Sequence, residues 1–383
     1  MTAAPPAVDT SLSSKQSLAH GPLGAALLRI ERARRGTETW EGVHRSLSGT
    51  GPLIDGPTAS LFLGAPALAF VLHLAADGSG GYAGALQSLD GIVVAHVRER
   101  LAIAHARINT GRLAEFAEYD LLRGLTGIGA LLLLRQPHGP ETKAVLEYLV
   151  RLTESVSVDG NLLPGWWVGH APANNKATMP GGHANAGLAH GITGPLALLA
   201  LAMRSGITVE GHETAIHRIC RWLDEIRLHD HLGVRWPRWI SERGPAPALP
   251  AAPSWCYGTP GLARAQQLAA IVTGDDDRKR MAERALLHCM TDPNQLDRIA
   301  DRGLCHGFGG VIRTVLRVAE DAETPSAFTA RMGLLTGRFL TAGPPEEKGF
   351  LQGKTGAALA FQDAEPDGAA RPQGHWDTCL LLA

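Results

Sequence analysis

Five side chains capable of acid–base or metal chemistry stand just before glycine-rich turns in this sequence. They are Asp120, His190, Cys256, Cys305 and His306. Two thiols and one imidazole suit a catalytic zinc ion, which commonly takes three protein ligands and leaves one position open. An imidazole and a carboxylate beside such an ion suit proton transfer near neutral pH. The residue types therefore indicate a zinc site with an acid–base pair next to it.

Each of these residues also has an ordinary structural interpretation. A lone Cys is more often a small buried apolar residue, and His190 could simply pack beside a glycine. Asp120 could satisfy backbone N–H groups at the start of a helix. The shared position before separate turns favours the functional interpretation, because equivalent positions of a ring of repeats converge on one cavity. The remaining cysteines lack that position and are predicted to be structural: Cys220, Cys289 and Cys379.

The turns recur along the chain as Gly-x-x-Gly units. Five units begin at Gly124, Gly191, Gly258, Gly307 and Gly353. A degenerate sixth copy is expected near Leu61. Each unit leads into an apolar run with helical period, further helical stretches lie between the units, and strand signals are scarce. This pattern predicts an all-α fold of helical hairpins, and the nearly apolar alternate helices favour a closed double ring over an open solenoid.

Two long loops interrupt the repeats. Residues 161–187 and 243–254 are rich in Pro, Gly and Asn and end just before turns, so they are expected to shape the site. Trp255 and Tyr257 flank Cys256 and are predicted to contact substrate. Other aromatic residues of the first loop are interpreted as having no direct role: Trp166, Trp167, His170 and His183.

Composition excludes several classes of protein. The 383 residues carry 36 basic and 37 acidic side chains, a balance that indicates no binding of nucleic acid or acidic membranes. Residues 59–76 are apolar but interrupted, which predicts a buried helix rather than a membrane span. Five scattered cysteines and no signal peptide favour a reducing, cytoplasmic location. We expect a flexible segment at 1–20 and a single domain over 21–383.

The motifs "GLAHGITG", "SWCYGTPG" and "CHGFGG" together resemble the lanthipeptide cyclases, the lanthionine synthetase C-like family. The similarity runs from "YDLLRGLTG" to the terminal "HWDTCLLLA". It implies an α/α toroid of about seven inner and seven outer helices, and a stand-alone class I cyclase. It also implies zinc held by Cys256, Cys305 and His306, with His190 and Asp120 as acid–base candidates.

The resemblance implies a reaction and partners as well. Such cyclases add Cys thiolates of a leader-bearing precursor peptide to its dehydroalanine or dehydrobutyrine residues, forming thioether rings. A separate dehydratase and a membrane exporter are the implied partners. One departure concerns an Arg that family members often carry four residues before the zinc Cys, where this chain has Ala252. The sequence does not decide which other arginine could replace it: Arg235, Arg238 or Arg243.

Two other functions remain open from the sequence. A toroidal zinc enzyme could activate a different thiol, such as glutathione or the cysteine of a protein to be prenylated. A non-catalytic scaffold could bind a precursor peptide and use zinc structurally. The presence of His190 and Asp120 favours an enzyme, whereas Ala252 in place of the expected Arg favours the scaffold.

Overall fold

The computed structural model describes residues 15–170, 181–230, 233–241, 244–245, 251–364 and 375–383. Parts of both long loops, and residues 1–14 of the N-terminal segment expected to be flexible, lie outside these residues.

Helices make up most of the described chain. In chain order they are α1 (Pro22–Arg34), α2 (Trp40–Leu47), α3 (Ala65–Ser79), α4 (Ala83–Asn109), α5 (Phe116–Tyr119), α6 (Leu125–Arg135), α7 (Pro140–Leu152), α8 (Thr193–Arg204), α9 (His212–Ile226), α10 (Thr259–Thr273), α11 (Asp276–Thr291), α12 (Pro293–Leu296), α13 (Phe308–Asp321), α14 (Pro325–Thr329), α15 (Met332–Thr341) and α16 (Lys354–Ala364). A short 3-10 helix covers Trp376–Leu380.

Seven helices form a closed inner ring. In order around the ring they are α1, α3, α6, α8, α10, α13 and α16. Each packs against the next, and α16 packs against α1, so the ring closes on itself. An outer helix or helix pair follows each of the first six inner helices in the chain and packs against it: α2, α4, α7, α9, α11 and the pair α14–α15. The predicted α/α toroid is confirmed, with seven inner helices and six outer partners among the described residues.

Close backbone approach explains the second glycine of the turns. A Cβ atom added there would lie 1.9–2.6 Å from the carbonyl oxygen six residues earlier. The pairs are Gly24–Leu18, Gly127–Leu121, Gly194–Leu188, Gly261–Trp255, Gly310–Leu304 and Gly356–Phe350. The unit at 21–24 was not among the five predicted. The degenerate copy begins at Gly64 rather than Leu61, because Gly64 caps α3 as Gly124 caps α6.

Backbone hydrogen bonds join one turn to the next around the ring. The bonds, from N–H to carbonyl, are Leu18 to Phe62, Leu351 to Ala19, Cys305 to Leu351, Cys256 to Cys305, Ala189 to Cys256 and Leu121 to Ala189. All lie at the end of the toroid where the inner helices begin. Equivalent turn residues therefore face one end of the ring, as the repeat pattern predicts.

The last residues of the chain pack against the inner helices. The indole N–H of Trp255 donates to the Leu380 carbonyl at 3.0 Å, and Arg264 donates to the Leu382 carbonyl at 2.9 Å. The side chains of Leu380 and Leu382 are fully buried. The segment therefore belongs to the core of the toroid.

Strands are short and sit in the loops, as the weak strand signals indicate. β1 (Val156–Val158) pairs with β2 (Asn161–Leu163), and β4 (Leu228–Asp230) pairs with β5 (Gly233–Arg235). A third sheet has the order β3 (His183–Asn185), β6 (Trp239–Ser241), β7 (Gly244–Pro245). The antiparallel pairing of β3 with β6 joins the first long loop to the segment just before the second, and β6 pairs in turn with β7, which belongs to the second loop.

The apolar stretch 59–76 contributes mostly to α3, which is buried in the inner ring. Within the described residues, no helix has both the length and the hydropathy that crossing a membrane requires.

Candidate metal centre and acid–base pair

The predicted zinc ligands lie together where two neighbouring inner helices begin. Cys256 occupies the turn before α10, and Cys305 and His306 occupy the turn before α13. The N–H of Cys256 donates to the Cys305 carbonyl at 3.2 Å, which sets the two motifs side by side. Their ligand atoms all lie within 4.8 Å of one another. Among the residues that the structure describes, no other group of three His, Cys, Asp or Glu side chains is spaced in this way.

Hydrogen bonds within the cluster set the protonation of its thiols. Cys256 Sγ lies 3.9 Å from His306 Nδ1 and 3.7 Å from Ser254 Oγ. A hydrogen bond from the Cys305 thiol lowers the pKa of Cys256 well below its ordinary value, and His306 and Ser254 lower it further against the opposing effect of burial. The same hydrogen bond, together with burial, raises the pKa of Cys305 well above its ordinary value. These contacts favour the thiolate at Cys256 over that at Cys305, and thiolate is the form that binds metal ions.

The chemistry of the donor set fits zinc. Two sulfurs and an imidazole are soft and borderline ligands, which zinc accepts and which magnesium or calcium do not favour. Cys256 is buried, whereas His306 is exposed, so the cluster has an inner side packed in the fold and an outer side toward solvent. Three ligands leave one of the four usual zinc positions for another molecule.

Asp120 and His190 form a hydrogen-bonded pair. His190 Nδ1 lies 2.6 Å from Asp120 Oδ2. Because a carboxylate only accepts, Nδ1 is the donor, and in the neutral imidazole the lone pair is then on Nε2. The other oxygen of Asp120 accepts the backbone N–H groups of Arg123 at 2.6 Å and Gly124 at 2.9 Å. One carboxylate therefore contacts both the turn and the imidazole, and a role of Asp120 in proton transfer stays a prediction.

The metal-ligand cluster and His190 line the same cavity, which has a volume of about 710 Å³. Asp120 lies behind His190, fully buried, whereas 26% of the His190 side chain is exposed. The volume falls within the range of small-molecule sites and suits a few residues of a peptide. Four of the five residues singled out from the sequence line this cavity, and the fifth, Asp120, contacts His190 from behind.

The two aromatic residues beside Cys256 have different surroundings. Tyr257 lines the cavity, with its ring centre 6.0 Å from that of His190. Trp255 is fully buried, and its indole donates to the Leu380 carbonyl in the core. The structure therefore brings Tyr257 to the site and places Trp255 in the packing behind it.

Of the three arginines that the sequence offered in place of the Arg expected at residue 252, Arg238 is the one at the cavity. Its guanidinium carbon lies 3.8 Å from the ring centre of Tyr257 and 4.6 Å from that of Trp239. It lines the cavity, as does Ala252. Of the other arginines considered, Arg235 is buried outside the cavity wall, and residue 243 lies outside the described residues.

Ser254 is a residue missed by sequence reasoning. Its hydroxyl accepts the N–H of Tyr257 at 3.3 Å and contacts Cys256 Sγ. A signal for it did exist, since Ser254 stands four positions before Gly258 as Asp120 stands before Gly124. Both side chains hold the turn that carries a functional residue.

Comparison with known proteins agrees with the fold and this geometry. Residues 13–381 match the sequence profile of the family described as "Lanthionine synthetase C-like protein". The chain belongs to this family. A relative, "Nisin biosynthesis protein NisC" from Lactococcus lactis subsp. lactis, is 24% identical over 338 residues, which cover 85% of this chain and 78% of that protein.

A solved structure of "Nisin cyclase" superimposes on this lanthionine synthetase C-like chain with a TM-score of 0.77. The match has 24% identity and covers 96% of this chain and 92% of the other. At that identity the likeness establishes the shared fold. The resemblance read from the three sequence motifs is thereby confirmed at the level of family and architecture.

Proposed function

We propose that this protein is a zinc-dependent peptide cyclase. It would join Cys thiols of a dehydrated precursor peptide to dehydroalanine or dehydrobutyrine residues of the same peptide, giving lanthionine or methyllanthionine rings. The observation that carries the proposal is the single cavity shared by the Cys256–Cys305–His306 cluster and the His190–Asp120 pair. Membership of the family, and a relative named for nisin biosynthesis, support the class of substrate.

Cys256, Cys305 and His306 would hold the zinc ion. When bound, the ion would lower the pKa of a substrate thiol in contact with it, from about 8.5 for a free Cys, and so favour the thiolate at neutral pH. The chain's own contribution is the placement of the donor set, since the backbone hydrogen bond between Cys256 and Cys305 sets the two turns side by side.

His190 would move the proton. Its Nε2 lone pair can accept the proton of the incoming thiol, and the buried Asp120 carboxylate stabilises the resulting imidazolium. The new bond joins sulfur to the β-carbon, while the electrons of the double bond pass to the amide. His190 then returns the proton to the α-carbon. The net change is addition of S–H across the double bond, so nothing leaves and no further reagent is consumed.

A buried carboxylate paired with an imidazole at the cavity wall favours this enzyme over a scaffold that only binds peptide. The proposal requires a dehydratase that supplies the dehydrated peptide. An exporter in the same complex, and a cytoplasmic location near it, are further expected features of the system.

A dehydrated, Cys-containing lanthipeptide precursor tests the proposal. Because ring closure leaves the peptide mass unchanged, free thiols are counted by alkylation with N-ethylmaleimide and mass spectrometry. We expect the wild-type chain to contain about one zinc ion and to remove thiols faster than the uncatalysed reaction. Cys256→Ala and Cys305→Ala should lose both properties and keep helical circular dichroism.

Cys220→Ala is the matched control, because burial raises the pKa of that thiol to about 11 and it lies away from the cavity. It should keep zinc and activity. Wild-type protein without zinc, or with no ring formation above background, would contradict the proposal. Ring formation retained in Cys256→Ala would contradict the assignment of the ligands.

A further inference from the structure

The proposed addition creates a negative charge that neither the metal-ligand cluster nor His190 stabilises. As sulfur bonds to the β-carbon, negative charge develops on the carbonyl oxygen of the dehydro residue. Enzymes stabilise such an oxygen with donors fixed in advance where the charge appears. His190 donates to Asp120 through Nδ1 and handles the proton at Nε2, so neither of its nitrogens is available for the oxygen.

Arg238 stands on the cavity wall next to the cluster. Its guanidinium lies 3.8 Å from the ring centre of Tyr257, the residue that directly follows Cys256. The same tyrosine ring lies 6.0 Å from the ring of His190. Arg238 and His190 therefore lie on the same tyrosine, Tyr257, which is bonded to the predicted metal ligand Cys256.

The fold holds Arg238 in this place from its backbone. It immediately precedes β6, which pairs with β3. The Arg238 carbonyl accepts the N–H of Ala186 at 3.1 Å, in the segment that leads to His190. Contact with the rings of Tyr257 and Trp239 holds the guanidinium at the cavity wall, where its exposed side chain can meet a ligand. Arg298 also lines the cavity, but no ring holds it next to a ligand of the cluster.

We propose that Arg238 is the cation that binds the developing oxyanion, so that a ligand with a thiol and an anionic oxygen is held jointly by the metal-ligand cluster and Arg238. The inference rests on the proposed cyclase function, because the oxyanion forms only in the proposed addition. Its test does not depend on turnover.

β-Mercaptopropionate is a suitable probe. Its carboxylate oxygen is separated from sulfur by the same number of bonds as the enolate oxygen of the addition step. β-Mercaptopropionamide has the same shape without the charge. Titration calorimetry of the zinc-loaded protein gives a dissociation constant for each probe. We expect the wild-type chain to prefer the carboxylate by about tenfold or more, as for a hydrogen bond to a charged group.

Arg238→Gln should abolish most of that preference, keep the zinc content and leave the affinity for the amide nearly unchanged. Arg238→Lys should restore part of it. Arg302→Gln is a matched control, because Arg302 also lies over an aromatic ring, Phe339, but outside this cavity. It should keep the full preference.

A preference unchanged in Arg238→Gln would overturn the proposal, and so would loss of the preference in Arg298→Gln instead. A wild-type chain that binds the two probes equally, or binds neither, would overturn it as well. A wild-type chain that discriminates between the probes but fails to cyclise dehydrated peptide would count against the proposed function and leave the role of Arg238 supported.

Discussion

The Asp120 carboxylate does two separable things with its two oxygens. One oxygen accepts N–H groups of the turn before α6, and the other accepts the Nδ1–H of His190. A substitution that keeps an acceptor for the turn but removes the charge can therefore isolate the effect on His190.

Asp120→Asn is that substitution. We expect its free energy of unfolding to stay within about 1 kcal/mol of that of the wild type, since an Asn side chain can also accept N–H groups at the start of a helix. Ring formation should fall about a hundredfold or more, because the imidazolium loses its counter-charge. Thiol counting on the dehydrated peptide and urea unfolding measure the two effects.

Asp120→Ala completes the comparison, because it removes both interactions and should lose stability and activity together. A wild-type rate in Asp120→Asn would show that the pair has no part in proton transfer. Zinc content should be the same in both variants, since Asp120 is not part of the metal-ligand cluster.

At the level of helices, the second glycine of each turn is a steric requirement. In the turn before α13, a Cβ atom on Gly310 would lie 1.9 Å from the Leu304 carbonyl oxygen, which belongs to the residue before Cys305. The Leu304 backbone cannot move away from this Cβ atom without also moving Cys305, a predicted zinc ligand.

Gly310→Ala should therefore lower the free energy of unfolding by about 3 kcal/mol or more, as a buried overlap does. It should also weaken zinc binding. Gly337→Ala, in α15, is the control: nothing lies within 4 Å of its added Cβ, and helix propensity predicts a gain of about 1 kcal/mol. Urea unfolding compares them, and equal stability of the two variants would refute the steric explanation.

Sequence periodicity predicted these elements well where a repeat was explicit. The Gly-x-x-Gly units identified five inner helices and placed Asp120, His190 and the three predicted zinc ligands at one end of the ring. The unit at 21–24 has the same Gly-x-x-Gly pattern and precedes a sixth inner helix, but it was not among the predicted units. The sequence offered Arg238 only as one of three arginines and could not choose among them, because the β3–β6 pairing next to Arg238 joins two segments that carry no repeat signal.

At the scale of the whole molecule, one buried carboxylate ties the end of the chain to the inner ring. Asp377 accepts from Arg313 at 2.7 Å and from Arg317 at 2.7 and 2.8 Å. Burial raises the pKa of Asp377, but the two arginines lower it more, so the pKa lies well below its ordinary value. A carboxyl group with a depressed pKa stabilises the fold above its unfolded pKa of about 3.9 and loses that effect as pH falls through the lower, folded value.

Asp377→Asn should cost about 3–5 kcal/mol at pH 7, because two buried arginines lose their shared partner. The stability of the variant should also depend less on acid than that of the wild type. The difference in free energy of unfolding between the two proteins should therefore shrink as pH falls below about 4. Urea unfolding across pH measures both effects.

Asp297→Asn is the comparison, since the Asp297–Arg338 pair is exposed and should contribute less than about 1 kcal/mol. A parallel pH curve for Asp377→Asn and wild type would contradict the role of the charge.

Closure of the ring between α1 and α16 has a consequence for synthesis on the ribosome. Translation delivers α1 first, and its neighbour α16 emerges more than 300 residues later. Until then the face of α1 that packs against α16 is uncovered, and exposed surface of this kind is what chaperones bind. Cys256 and Cys305 both precede α16 in the chain. Both predicted zinc-binding turns are therefore synthesised before the helix that closes the ring.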